Sequence, residues 1–404
     1  MKSEFKKIVL ENGMTILFER RSLPVVSVAV AVRQGAIHEE LSEKGISHFI
    51  EHMLYKGTKN RTAKQIAEEI ERNGGELNGF TNNLITAYWC RLPSERLEVA
   101  LDVLSDMVKN PLFDEREVEK ERKVILEEIK LYHDNPRFYV FDEIEKCLYA
   151  GTLGINVIGT HESVESIDRE MLVKRFNSFY GPKNFILCVV GDAVLDEVIG
   201  FAKERFGRGG ESADVKEFSF KNEVRVEERE GIDQANLVFA YHVPLADDVK
   251  SYAARVLSCL MAEGMSSRLF TEIREKRNLA YAVKGESEIT KYYAHNLIYV
   301  GTMKQNVEKV KKIILEEFDK VAKELGEKEL EAVKTQLIGN WKLSQEDSVN
   351  QMEELIFHEV GLGAENFYDF EKKIKAVSLE DVRDLAGRAK EKFSFFALVP
   401  KERD

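Results

Sequence analysis

Short β-branched runs alternate with longer amphipathic stretches along this chain, and the alternation comes twice. Lys7 to Arg20 carries an Asn12-Gly13 turn signal between β-prone runs and predicts a hairpin. Val25 to Val32 (VVSVAVAV) is almost wholly apolar and predicts a buried strand. Gly45 opens a helical segment, and Ala63 to Asn73 predicts a second helix closed by Gly74-Gly75. Leu84 to Leu92 predicts a strand, Glu95 to Lys109 and Asp114 to His133 predict amphipathic helices, and Phe185 to Val190 predicts a strand ending at Gly191-Asp192. The second half repeats the layout: a strand at Ala235 to Tyr241, helices at Asp248 to Leu260, Phe270 to Lys276 and Val307 to Leu325, and a final strand at Phe393 to Val399.

A chain of 404 residues exceeds what one hydrophobic core usually supports, so two domains are expected. The join is the small, polar run from Gly207 to Asp214. The expected fold class is α+β: two similar domains, each an antiparallel sheet with helices packed on it. Residues 1–206 would form the first domain, 207–214 a linker and 215–404 the second.

Composition narrows the function classes. Apolar residues make up 44% of the chain, which excludes a largely disordered protein, and no run is long enough to span a bilayer. Met1 to Lys7 precedes only three apolar residues, Ile8, Val9 and Leu10, too few for the core of a secretory signal. A cytoplasmic location is expected, although a processed organellar protein would look the same. Cys90, Cys147, Cys188 and Cys259 form no Cys-x-x-Cys pair and sit among apolar neighbours, as buried reduced thiols do. A net charge of −12 with no basic stripe argues against nucleic acid as a partner. Charged residues reach 32%, above the usual quarter, a bias that thermophile proteins share.

The candidate chemistry lies in Gly45 to Leu54. His48 and His52, four apart on a helix, share one face and can reach a single Zn²⁺. Glu51 projects beside them, where it can touch a water without binding the metal. This order, H-x-x-E-H, inverts the commoner H-E-x-x-H metallopeptidase signature and serves the same chemistry. Two histidines spaced one turn apart by chance are the bland alternative, but burying them beside Phe49, Ile50, Met53 and Leu54 without a partner is costly. A third protein ligand is needed. On the helix Glu117 to Tyr132, the apolar stripe runs through Val118, Ile125, Ile129 and Tyr132; Glu121 and Glu128 fall on or beside it, and Glu127 lines up with Lys120 and Lys123 on the wet side. Taken alone, that helix reads more readily as a solvated charge run.

Together these motifs resemble the pitrilysin (insulinase-like, M16) metallopeptidases, particularly the subfamily of mitochondrial processing peptidase and its bacterial relatives. The resemblance covers nearly the whole chain. In that family a glutamate ligand follows H-x-x-E-H by about 76 residues; here Glu128 lies 128 − 52 = 76 positions past His52. The resemblance makes Glu128 the third zinc ligand and Glu121 a carboxylate that orients a zinc histidine. Gly75 to Thr81, with Asn78-Gly79 where many members have Asn-Ala, is similar to the segment entering the edge strand that pairs with substrate, though an ordinary Gly-rich turn would look alike. Ser266 to Phe270 and Arg274 to Tyr281 resemble the second-domain signature, in which Arg274 and Tyr281 would reach the substrate and the developing oxyanion. Ile158-Gly159-Thr160 and Val190-Gly191-Asp192 fit the family's structural positions. Gly151-Thr152 replaces a common His-Pro, and Ala262-Glu263-Gly264 replaces a glycine run; neither departure touches the zinc residues.

The implied activity is zinc-dependent hydrolysis of peptides or unfolded segments bound as an added strand, with Glu51 as general base, inside a clamshell completed by a second subunit. A homodimer is expected because one chain carries both motif sets, and a heterodimer is the variant reading. A non-catalytic or partner-dependent subunit, and a hydrolase of non-peptide amides, are the rivals. Neither nucleic acid nor membrane is an expected partner.

Overall fold

The computed structural model describes residues 4–401; Met1 to Ser3, where the leader argument begins, lie outside the described residues. The Asn12-Gly13 turn closes the predicted hairpin, with β1 (Glu4–Val9) antiparallel to β2 (Thr15–Arg20). These join β3 (Val25–Val32), β4 (Glu76–Thr81), β5 (Thr86–Pro93) and β7 (Phe185–Gly191) in a six-stranded sheet of order β1-β2-β7-β3-β5-β4. Short strands β6 (Tyr149–Gly151) and β8 (Phe218–Phe220) pair with each other. A five-stranded sheet combines β9 (Val224–Arg229), β10 (Ala235–His242), β11 (Ala280–Ile289), β12 (Ala294–Thr302) and β13 (Ser394–Pro400) in the order β11-β12-β10-β13-β9.

The two sheets share one plan. A hairpin (β4–β5 or β11–β12) forms one edge; β3 or β10 lies beside it; the last strand, β7 or β13, follows. Neighbours are antiparallel until β2 joins β7, and β9 joins β13, in parallel. The α+β class and the duplication expected from element order are both present, with β1 an addition to the first sheet and one parallel pairing in each.

The compact units are not the contiguous halves that a cut at 207–214 would give. The first comprises the chain up to Lys130, Gly151–Glu217 and Ser344–Ala364; the second comprises Leu131–Ala150, Phe218–Leu343 and the chain from Glu365 onward. Helices α1 (Ile46–Leu54) and α2 (Ala63–Glu71) precede the first edge hairpin, β4–β5, and three helices follow it: α3 (Leu97–Lys109), α4 (Glu115–Asp134) and α5 (Pro136–Leu148). Helices Val307–Glu324, Glu327–Ser344 and Ser348–Gly361 follow the second. The third helix of each set is exchanged: α5 packs on β10 and β13, and Ser348–Gly361 packs on β7 and β3.

The exchange explains why β3 is apolar from end to end. Val26, Val28, Val30 and Val32 point into one hydrophobic core with Leu187 and Val189. The alternate positions face the borrowed helix, where the Ser27 and Ser348 hydroxyls meet at 2.9 Å and Gln351 Nε2 donates to the buried Glu19 carboxylate at 2.7 Å. A strand covered on both faces needs no polar alternation. All four cysteines are buried and unpaired. Among the described residues, no helix is long and apolar enough to cross a membrane.

Met352, fully buried on the borrowed helix, tests this packing. Met352→Ala should cost about 2–5 kcal/mol in urea unfolding; a loss under about 0.5 kcal/mol, the usual range for surface changes, would show that the helix is not part of the core.

Candidate metal centre

Helix α1 (Ile46–Leu54) is short, and every residue in it except His52 is buried. Phe49, Ile50, Met53 and Leu54 fix its apolar side in the core. Its start is fastened by Glu39, fully buried, whose carboxylate accepts from the backbone N–H groups of Gly45 (3.0 Å) and Ser47 (2.7 Å). An anion at a helix N-terminus satisfies orphan donors and the helix dipole together. Gly45 itself has φ +95°, and a Cβ there would stand 2.5 Å from the Ile158 carbonyl oxygen. That close approach gives the Ile158-Gly159 segment its structural role.

Helix α4 supplies the facing carboxylates. Arg122 anchors it, donating to the Val164 and Ile167 carbonyls at 2.5 and 2.6 Å while its guanidinium lies over the Phe49 ring, 5.5 Å from the centroid. Val118 and Ile125 are buried in the same core. Glu121 is buried, Glu128 is partly covered, and Glu127 is exposed beside Lys130.

The structure brings His48, His52 and Glu128 together. Glu128 Oε2 lies 3.8 Å from His48 Nε2 and 3.7 Å from His52 Nε2, and the two imidazole centroids are 4.6 Å apart. One ligand atom from each residue falls within 4.8 Å of the others. These distances are too long for hydrogen bonds. They are close to the edge of a tetrahedron with metal bonds of about 2.1 Å, which is roughly 3.4 Å. His52 presents its other nitrogen, Nδ1, to Glu121 Oε2 at 3.1 Å, and Lys56 Nζ holds Glu121 Oε1 at 2.7 Å.

Protonation follows from burial. Burial lowers the His48 pKa to about 3, with a smaller push from His52, so the imidazole is neutral and able to ligate at ordinary pH. Its Nδ1 is buried without a hydrogen-bond partner. Burial pushes the Glu128 carboxyl above its ordinary value, against the pull of His52. Burial also opposes ionisation of Glu121, but hydrogen bonds from His52 and Lys56 outweigh it and hold that carboxyl below its ordinary range. Two imidazoles, a carboxylate that a cation would stabilise, and a second carboxylate fixing one ring's orientation suit a divalent transition metal.

Glu51 lies alongside, nine-tenths buried, and accepts a hydrogen bond from the Thr81 hydroxyl at 2.6 Å. Burial raises its pKa, partly countered by Thr81 and His52. Asn78 is exposed on β4, the edge strand of the sheet, its Oδ1 accepting from the Gly79 N–H at 2.8 Å.

Arg274 and Tyr281 belong to the second unit, on two local irregularities. Arg274 sits on a π-helical turn, Phe270–Glu275, where the sequence predicts an ordinary helix, with its guanidinium 4.7 Å from the Phe270 ring centroid. Tyr281 is the extra residue of a β-bulge between Ala280 and Ala282, half exposed, its hydroxyl 3.3 Å from that of Tyr299. Asn278 between them has φ +50°. Bulges and π-turns re-aim side chains and concentrate at functional sites.

Sequence reasoning gave no role to Glu39, Tyr55, Lys56 or Thr81. Helical spacing could have found two of them: Tyr55 and Lys56 stand four residues after Glu51 and His52. Glu39 acts from a loop and Thr81 across strands, which no local period reveals.

Fold and donor set define a family: the chain belongs to peptidase family M16. Residues 15–161 match the model described as insulinase (peptidase family M16), and residues 166–337 match the one described as peptidase M16 inactive domain. An uncharacterized zinc protease of Bacillus subtilis is 32% identical over 94% of this chain and 94% of its own. One of Rickettsia felis is also 32% identical, over 88% and 87%. The fold is that of a Helicobacter pylori protease, with TM-score 0.92, 22% identity and coverage of 98% of this chain and 100% of that one.

Metal analysis of the purified protein checks the ligand set. Wild type should carry about one divalent metal per chain, whereas His48→Ala and Glu128→Ala should lose it. Glu121→Gln should bind about 10–100-fold more weakly. Full metal content in Glu128→Ala would remove that residue from the set.

Proposed function

We propose that this chain is a zinc-dependent endopeptidase that takes peptides or unfolded segments as a strand added to the β4 edge. The observation that carries the reading is the placing of Glu128 Oε2 3.7–3.8 Å from both His52 Nε2 and His48 Nε2, with the Glu51 carboxylate nearby. His48, His52 and Glu128 would hold the zinc, and Glu121 would keep the His52 ring turned towards it. Bound there, zinc supplies Lewis acidity, acidifying water and polarising the scissile carbonyl. Glu51 accepts the proton of the attacking water and returns it to the leaving amine. Burial raises its pKa above the ordinary carboxyl value, which favours a group that must both take and give a proton. Strand β4, at the edge of its sheet and with the exposed Asn78 upon it, would offer main-chain hydrogen bonds that tolerate many sequences.

Arg274 and Tyr281 are assigned the developing oxyanion, an assignment supported by the bulge and π-turn that present them. The description of an inactive domain applies to residues 166–337, which contain none of His48, Glu51, His52 and Glu128, so it leaves the metal set intact. Since one chain holds both sets, a homodimer is the proposed assembly, to be checked by light scattering. The names of the Bacillus and Rickettsia relatives support the protease reading.

Glu51→Gln should retain one zinc per chain while kcat on a peptide substrate falls about 10²–10⁴-fold; an unimpaired rate would refute the assigned base. Tyr281→Phe should lower kcat by up to about 10²–10³-fold with zinc content unchanged, and steady-state kinetics at saturating peptide would read it.

A further inference from the structure

The base is fastened to the strand that would carry the substrate. The Thr81 hydroxyl stands 2.6 Å from Glu51 Oε2 and 3.5 Å from the Thr86 hydroxyl. Thr86 donates its own proton to the Gln34 carbonyl at 3.0 Å, and a carboxylate accepts more strongly than a hydroxyl, so the single Thr81 proton goes to Glu51. Thr81 is the last residue of β4 and pairs with Thr86, the first of β5, so its backbone is fixed by the ladder. The other carboxylate oxygen lies near Gly79, where only a residue without a side chain fits. A Cβ at Gly79 would lie 3.5 Å from Glu51 Oε1 and 2.8 Å from the Ala87 carbonyl oxygen, and it would collide with the Tyr55 hydroxyl. That hydroxyl is buried without a hydrogen-bond partner and fills the space that a side chain at 79 would occupy. Glu51 is thus fastened to residue 81 of an edge strand by a donor on one oxygen, while its other oxygen lies against the stretch at Gly79.

We propose that Thr81 is a positioning residue that aims the Glu51 carboxylate and ties it to the β4 edge, so that one element sets both the register of an added peptide and the direction of the base. The inference rests on the reading of Glu51 as base. A carboxylate free to rotate about its last torsions would still bind its neighbours but would present a lone pair to the water only part of the time. Thr81 therefore acts on turnover rather than on peptide affinity.

Thr81→Val keeps the shape and removes the donor; Thr81→Ser keeps the donor and removes the methyl. Kinetics on a fluorogenic peptide should show kcat of Thr81→Val reduced about 10–100-fold, with KM within about twofold and zinc at one per chain, and Thr81→Ser restored to within about threefold of wild type. In the Glu51→Gln background, adding Thr81→Val should cause no further loss, because the two groups act as a unit. Should Thr81→Val fail to fold, Thr81→Ala carries the same comparison. A wild-type kcat in the hydroxyl-free variant overturns the proposal, as does a serine variant no better than valine, or a double variant that loses the full additional factor. If Glu51→Gln is inactive while Thr81→Val is intact, only the positioning role fails; if Glu51→Gln is active, the base itself is misassigned.

Discussion

Three polar side chains, drawn from two helices, must meet within a few ångströms in a place largely closed to water, and the first unit is arranged around that demand. Taking histidine and carboxylate groups out of water is unfavourable unless something compensates. The response visible here is a set of anchoring contacts on both helices. Helix α1 has little freedom: its apolar residues lie in the core, and the buried Glu39 carboxylate grips its first amides. Helix α4 is pinned by Arg122 to the Val164 and Ile167 carbonyls and to the face of Phe49, immediately beside His48. Burial leaves the His48 imidazole neutral, which is the form that ligates, and raises Glu128, whose anionic form a cation would favour. The burial that disfavours charge on these side chains is also what would make a bound cation favourable there.

Much of this was legible in the chain before any coordinates. Val25 to Val32 and the Asn12-Gly13 hairpin appear where hydrophobic pattern and turn chemistry place them, because both signals are local. Glu127 points outward and Glu121 inward, as the helical stripe of α4 requires. The helix exchange was not legible. A helix that covers a sheet belonging to the other repeat has the same amphipathic pattern as one that covers its own, so composition at 207–214 marks where the chain passes between sheets without telling which helices cover which. Strand β11 was missed for a related reason: at the edge, its sequence AYAVKGESEI keeps polar residues on one side and reads as a loop. Glu39 and Thr81 are long-range contributors whose importance exists only once loop, helix and strand are assembled.

The duplicated plan shows how one architecture can be divided between tasks. In the first repeat the edge hairpin strand β4 is regular, and its last residue, Thr81, meets Glu51 of helix α1. In the second the corresponding strand, β11, begins with a bulge at Tyr281, preceded by a left-handed Asn278 and a π-helical turn at Arg274. Local departures from ideal geometry cost free energy and persist where surrounding structure enforces them. Here they sit at the equivalent edge of the repeat that lacks the metal motif.

Gly79 draws these threads together. Backbone freedom is not what the position needs, since it lies within a regular ladder; it needs the absence of a side chain, because the Tyr55 hydroxyl and the Glu51 carboxylate press against that stretch of strand. A glycine within a strand normally weakens it. Its presence on this edge follows from the Glu51 side chain, which reaches from α1 to the strand while remaining close to His52. Helix α1, the Glu51 carboxylate and strand β4 therefore pack as one assembly, joined at the small Gly79 and through the Thr81 hydroxyl.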